Sequence, residues 1–338
     1  QSYWDAFPTL RSDLFAPLRD GYSELKVASS AIKETIFAHP EFEGFQQQMQ
    51  EVFADFKEKN YHVLVGINPE NSPKKFVREV AESLLETYTN KPLVSRYKVY
   101  QHLLNYWNET MKDDVYMLIE DGWIAKVDRI VEKNKRGKEV DKGWTCELLP
   151  KEYIIRAYLG EESQMLKEKE SQQEALQGNI LEVEEEHGVE GGLLEGAAND
   201  KGKISKTTLS KFIKEIKGDA SEKEAYVVAQ ELLKKFNKEA NLKKEIKAQE
   251  DSLDSLSMQQ YGKLSEVDVK RLVVEEKWLA TIKGDIDREV DAVTQRLSTR
   301  IKELSERYGH TLGSIEEGVD EAEAQVKRHL AKMGLVWN

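Results

Sequence analysis

Six histidines, at positions 39, 62, 102, 187, 310 and 329, and one cysteine, Cys146, are the residues from which a metal centre or a nucleophilic site would be built. The histidines are scattered, without the i, i+4 pairing or the His-x-Glu spacing that zinc sites use. A single thiol excludes both an internal disulfide and a thiolate zinc cluster, and it suits a reducing cytosol. His187 follows Glu184, Glu185 and Glu186; a carboxylate run that ends a helix reads as a solvated face, and no ligand role follows from it. No GxSxG elbow or GxxxxGK[ST] phosphate loop is present, and nothing around Cys146 pairs it with a histidine as a nucleophile would require. Asp13, Asp113, Asp114, Glu120 and Asp121 read as separate carboxylates in helical context, where capping and surface solvation are their ordinary roles. The expectation is therefore a chain with no catalytic, cofactor-binding or metal-binding residues of its own.

One stretch has chemistry suited to phosphate. Across 128–142 the cations Arg129, Lys133, Lys135, Arg136, Lys138 and Lys142 outnumber the anions Asp128, Glu132, Glu139 and Asp141. Lys133, Lys135, Arg136 and Lys138 are the candidate DNA contacts if this stretch acts as an arm; a solvated loop tip is the ordinary alternative. The whole chain argues against autonomous DNA binding. Its Lys+Arg total of 50 against an Asp+Glu total of 62 gives a net charge of −12, which repels a phosphate backbone.

The elements that position these residues are mainly helical. At 338 residues the chain exceeds the usual single domain, and 33% charged residues with only 7 Pro and 20 Gly suit long solvated helices. Residues 1–122 are aromatic-rich and read as a compact helical domain. Phe42, Phe45, Met49, Val52, Phe53 and Phe56 recur at helical spacing, as do Tyr100, Leu103, Leu104 and Trp107. Ser72-Pro73 marks another helix start, with Phe76, Val80, Leu84 and Leu85 on its face. Residues 123–150 switch to β-prone runs, Ile124–Val131 and Trp144–Leu149, and read as a β-hairpin or loop connector.

Beyond Pro150 proline disappears. Residues 151–260 read as an antiparallel pair of long helices with its tip at 187–204. The first helix carries Ile155, Leu159, Leu166, Leu176, Ile180 and Val183 on a heptad seam that Glu162, Lys169 and Gln173 interrupt. Ser205 caps a short helix, and a return helix starts near Ser221 with Ala225, Ala229, Leu232, Phe236, Ile246 and Leu253 on its stripe.

Residues 261–338 read as C-terminal long helices and hold the cleanest pattern. Leu279, Ile282, Ile286, Val290, Val293, Leu297, Ile301, Leu304 and Tyr308 repeat every eleven residues, close to the natural helical period, so the stripe runs nearly straight. Along about 45 Å of helix it demands a cover. The 221–260 helix can supply part of that cover, and the surplus marks these nine positions as the candidate partner-binding surface. After Gly309 and Gly313, the residues Ile315, Val319, Ala322, Val326, His329 and Leu330 resume an amphipathic helix ahead of an apolar tail, Leu335-Val336-Trp337.

Several stretches are more particular than generic helix: residues 2–11 (SYWDAFPTLR), 99–118 (VYQHLLNYWNETMKDDVYML), 187–206 (HGVEGGLLEGAANDKGKISK), 271–280 (RLVVEEKWLA) and 300–309 (RIKELSERYG). Together they resemble the C-terminal part of the methylation (M) subunit of bacterial type I restriction-modification systems, in a long-tailed variety. The resemblance spans nearly the whole chain. It implies a parent that is an adenine-N6 DNA methyltransferase, holding S-adenosylmethionine near an FxGxG motif and a flipped adenine at NPPF. Neither motif is here: Phe42-Glu43-Gly44-Phe45-Gln46 lacks the second glycine, and Asn68-Pro69-Glu70-Asn71 lacks the second proline and the aromatic residue. With Gln1-Ser2-Tyr3-Trp4 at its start and no initiator Met, the chain reads as a fragment downstream of the catalytic domain, inactive alone. The resemblance further implies docking onto the helices of the specificity (S) subunit, contact with the other subunits of the complex, access to DNA through that complex, and a cytoplasmic setting. A self-associating coiled coil, dimerising through 151–186 and 279–308, is the competing reading. No apolar stretch approaches the ~20 residues that cross a bilayer, and the mean hydropathy is −0.63.

Overall fold

The computed structural model describes residues 2–19, 22–133, 137–199, 202–308 and 312–333. In chain order the elements are α1 (Ser2–Ala6), α2 (Pro8–Leu14), β1 (Phe15–Arg19), β2 (Tyr22–Leu25), α3 (Ile32–Phe37), α4 (Pro40–Val65), α5 (Pro73–Thr87), α6 (Arg96–Tyr106) and α7 (Lys112–Asp121). Then come β3 (Asp128–Lys133), β4 (Glu139–Thr145), α8 (Lys151–Tyr158), α9 (Gly160–His187), α10 (Lys206–Glu215), α11 (Lys223–Tyr261), α12 (Glu266–Lys270), α13 (Ala280–Tyr308) and α14 (Leu312–Lys332). The fold is mainly α, with two antiparallel two-stranded sheets, β1–β2 and β3–β4, among the described residues.

The chain divides into two compact units, Gln1–Trp123 together with Val273–Asn338, and Ile124–Leu272. By this division α13 groups with the N-terminal helices, and the first unit is discontinuous. Within that unit the apolar stripe packs on α3, α4 and α6.

In the first unit, α4 starts on Pro40, with the His39 ring nitrogen accepting the Glu41 N–H at 3.2 Å. One face of α4 buries Phe42, Phe45, Met49, Val52, Phe53 and Phe56. Phe7 meets Phe42 and Phe45 edge-on, at 6.0 and 5.7 Å between ring centres, the arrangement that the ring quadrupole favours. The Glu41 carboxylate accepts the backbone N–H groups of Thr9 and Leu10, fastening α2 to α4. Burial works against its ionisation, yet these bonds and the nearby His39 hold its pKa below the ordinary value. The β1–β2 hairpin was not read from the sequence, although Asp20-Gly21, outside the described residues, is a hairpin turn signal.

The second unit begins with the β3–β4 hairpin, whose strand ends lie two to five residues from those of the expected runs. At its base Trp144 is buried, donates through Nε1 to Asp254 at 2.8 Å and stacks edge-on against Tyr261. The expected 151–186 helix breaks at Leu159 into α8 and α9. Helices α9 and α11 run antiparallel, as the pairs Lys169–Glu245, Gln177–Glu239 and Asn179–Lys235 establish. The far end carries its own small core: Ile180, Leu194, Ala197, Leu209, Phe212, Ala225, Ala229 and Leu232. Helix α10 closes it, held at its start by a reciprocal Ser205–Thr208 capping box. Gly196 lies so close to Phe212 that a Cβ there would sit 2.7 Å from the ring.

Candidate partner-binding helices

The nine-residue stripe splits in two. Leu279, Ile282, Ile286, Val290, Val293, Leu297 and Ile301 are buried within the first unit, whereas Leu304 is 37% and Tyr308 70% exposed. The first seven are core; only the last two remain available to a partner. Past them, every described side chain of α14 from Glu316 onward is exposed except Leu330, which is half-buried.

Polar anchors lock α13 in this register. Glu289 receives Lys98 at 2.8 Å and Arg296 at 3.1 Å. Burial alone would raise its pKa, but the two cations hold it below the usual carboxylate value. Glu275, in the π-helical segment Arg271–Leu279 that precedes α13, receives Lys57 at 2.7 Å and the Tyr61 hydroxyl at 3.0 Å.

The same π-helical segment supplies an ion pair that the sequence reading missed. Asp114 was expected on the surface; its side chain is 3% exposed, paired with Lys277 Nζ at 2.8 Å, while Trp278 Nε1 donates to its second oxygen at 2.7 Å. Burial pushes the Asp114 pKa up, with Lys277 and Trp278 pulling against it. The signal was present in the spacing. Asp114 lies three residues after Met111 and four before Leu118, on the face that both of those bury. A second π-helical segment, Trp107–Met111, immediately precedes α7 and sets that face.

The basic stretch is a hairpin whose strand β3 is exposed along its length. Lys133 stands across from Glu139, and Arg129 pairs with Asp141 at 3.1 Å, so anions accompany these cations. Lys138 is exposed; Lys135 and Arg136 lie outside the described residues. The 187–204 tip is folded back on itself, with the Leu194 N–H donating to the His187 carbonyl at 2.7 Å; Asp200 and Lys201 lie outside the described residues. Within the acidic run before it, Glu185 and Glu186 are exposed, but Glu184 is half-buried. Burial and the facing Glu239 raise its pKa. Among the described residues no group of three His, Cys, Asp or Glu side chains is placed to hold a metal ion. No helix among them is long and apolar enough to cross a membrane.

The two partial matches to methyltransferase motifs have structural roles. Phe42 and Phe45 are buried in α4 among other aromatic rings, which leaves no glycine loop to cradle a nucleoside. Asn68-Pro69-Glu70-Asn71 forms a surface turn, in which the Asn68 side chain accepts the Glu70 N–H at 2.9 Å and Asn71 Oδ1 accepts the Asn68 N–H at 2.7 Å. These residues do not fit an S-adenosylmethionine site. Compared with known proteins, the chain matches no family model, no curated protein and no solved structure.

Proposed function

We propose that this chain is the C-terminal, non-catalytic part of a type I restriction-modification M subunit and serves as a helical scaffold. In that role it holds the methyltransferase against the DNA-specificity subunit, and so fixes how adenine is delivered to a catalytic domain lying outside this chain. Support comes first from the resemblance of residues 2–11, 99–118, 187–206, 271–280 and 300–309 to that family. The observation that carries the reading is the abrupt end of cover on α13: after Ile301 the stripe continues through Leu304 and Tyr308 into solvent. An apolar face prolonged past its own core is what a neighbouring helix uses.

The test is binding to a purified specificity subunit by calorimetry. Leu304→Glu combined with Tyr308→Glu is expected to weaken binding at least tenfold, about 1.4 kcal/mol, while leaving the melting temperature of the chain unchanged, since both side chains are exposed. Unaltered affinity in that variant rejects the surface. Micromolar binding of S-adenosylmethionine to the chain alone rejects the scaffold reading.

A further inference from the structure

Helix α14 has a lengthwise polarity that its own stability explains only in part, through the Glu323–Lys327 pair at 2.8 Å and Lys332 in the last turn. Its apolar positions Val319, Ala322 and Val326, with Met333 just past its end, fall on one face at heptad spacing, with Leu330 beside them. That face is open: Val319 is 58%, Val326 43% and Met333 73% exposed. Its charges are segregated, with Glu316, Glu317, Asp320, Glu321 and Glu323 in the first half and Lys327, Arg328 and Lys332 in the second. Acidic residues near a helix N-terminus ordinarily complement the macrodipole, but that effect fades within the first turn. The first turn of α14 contains none; its acids lie in the second and third turns, where a partner would feel them and the dipole would not.

We propose that α14 pairs antiparallel with α14 of a second copy of this chain. In that orientation the acidic half of each helix lies along the basic half of the other, within the ~10 Å over which charges still act at ordinary salt. A parallel pair would set acid on acid and base on base, which is repulsive at both ends. The antiparallel pair is two-fold symmetric, so one self-complementary surface serves both copies. The chain enters α14 from the same end in each copy, so the two entering chains arrive at opposite ends of the pair. At ~31 Å of helix the seam is short, so the expected dimer is weak and sensitive to salt. The inference does not depend on the restriction-modification reading, and its test omits any specificity subunit.

Sedimentation equilibrium of the whole chain over a concentration series is the measurement. The wild type is expected to approach twice the monomer mass at low salt and to dissociate as salt is added. Val319→Asp with Val326→Asp is expected to raise the dissociation constant at least tenfold. Reversing the acidic half (Glu316→Lys, Asp320→Lys, Glu321→Lys) is expected to abolish self-association, as is reversing the basic half (Lys327→Glu, Arg328→Glu, Lys332→Glu). Mixing the two reversed proteins is expected to restore a dimer, a rescue that misfolded variants could not give. A wild type that stays monomeric at every concentration overturns the proposal. So does self-association that strengthens with salt or survives either reversal.

Discussion

Helices α9 and α13 are nearly equal in length, 28 and 29 residues, yet one is largely exposed and the other is core. α13 buries Ile282, Ile286, Val290, Val293, Thr294, Leu297 and Ile301, whereas α9 buries only Ile180. The difference lies in the seam and not in the length. α9 places Glu162, Lys169 and Gln173 where α13 places isoleucine and valine, so α9 meets α11 through a half-open seam while α13 packs on three helices, α3, α4 and α6. Helix propensity is similar in the two; density of apolar side chains on one face decides whether a helix is enclosed.

The largest expected effect comes from the ion pair at the head of α13. Asp114→Ala removes the carboxylate paired with the buried Lys277 ammonium, and breaking a buried pair in this way costs about 3–5 kcal/mol. Hydrogen exchange should show protection lost in α4–α7 and α13 while α9 and α11 keep theirs; equal loss in both regions would break the contrast. Replacing both partners, Asp114→Leu with Lys277→Met, is expected to recover most of that stability. Next, Ile286→Ala should cost about 2–5 kcal/mol by chemical denaturation, and Leu176→Ala, half-buried on α9, about 1 kcal/mol. A Leu176 effect as large as that of Ile286 would mean α9 is as tightly enclosed as the core. Gly196→Ala should loosen the far end of the second unit by about 1–3 kcal/mol, since its Cβ meets the Phe212 ring and the backbone must give way. Proteolytic nicking confined to residues 188–218 would register it.

The smallest effect is on pH dependence, where the two carboxylates of the first unit act in opposite directions. Glu289 has a folded pKa below the ordinary glutamate value of 4.5. Its contribution is therefore full above 4.5 and is lost as pH falls through the lower folded value. Asp114, raised above 3.8 by burial, contributes most below 3.8 and loses that contribution as pH rises. Glu289→Gln should flatten the acid limb of a melting-temperature profile, and Asp114→Asn should steepen it. An unchanged profile for Glu289→Gln would show that Lys98 and Arg296 do not hold that carboxylate in solution.

The helical faces were legible because burial follows period: the Phe42–Phe56 face, the α13 stripe and the Ser205 cap can all be read from spacing. What covers α13 could not be read, because an apolar stripe specifies the need for a cover and not its source. α3, which supplies much of it, is a six-residue helix with only Ile32 and Ile36 buried, too short to stand out by periodicity. Asp114 was misjudged because residue type was weighed over position; its place between Met111 and Leu118 argued for burial. On the candidate site, the sequence spreads the apolar surplus over nine positions, of which Leu304 and Tyr308 are the exposed ones.

The discontinuity of the first unit sets an order of assembly on the ribosome. Residues 124–272 emerge complete and can settle before the residues that close the earlier bundle exist. Until Ile282 to Ile301 are made, the apolar faces of α3 and α6 have no lid, and nascent chains in that condition are the ones that chaperones hold. Stalling translation just before Val273 should therefore yield a protease-resistant second unit attached to protease-sensitive N-terminal helices.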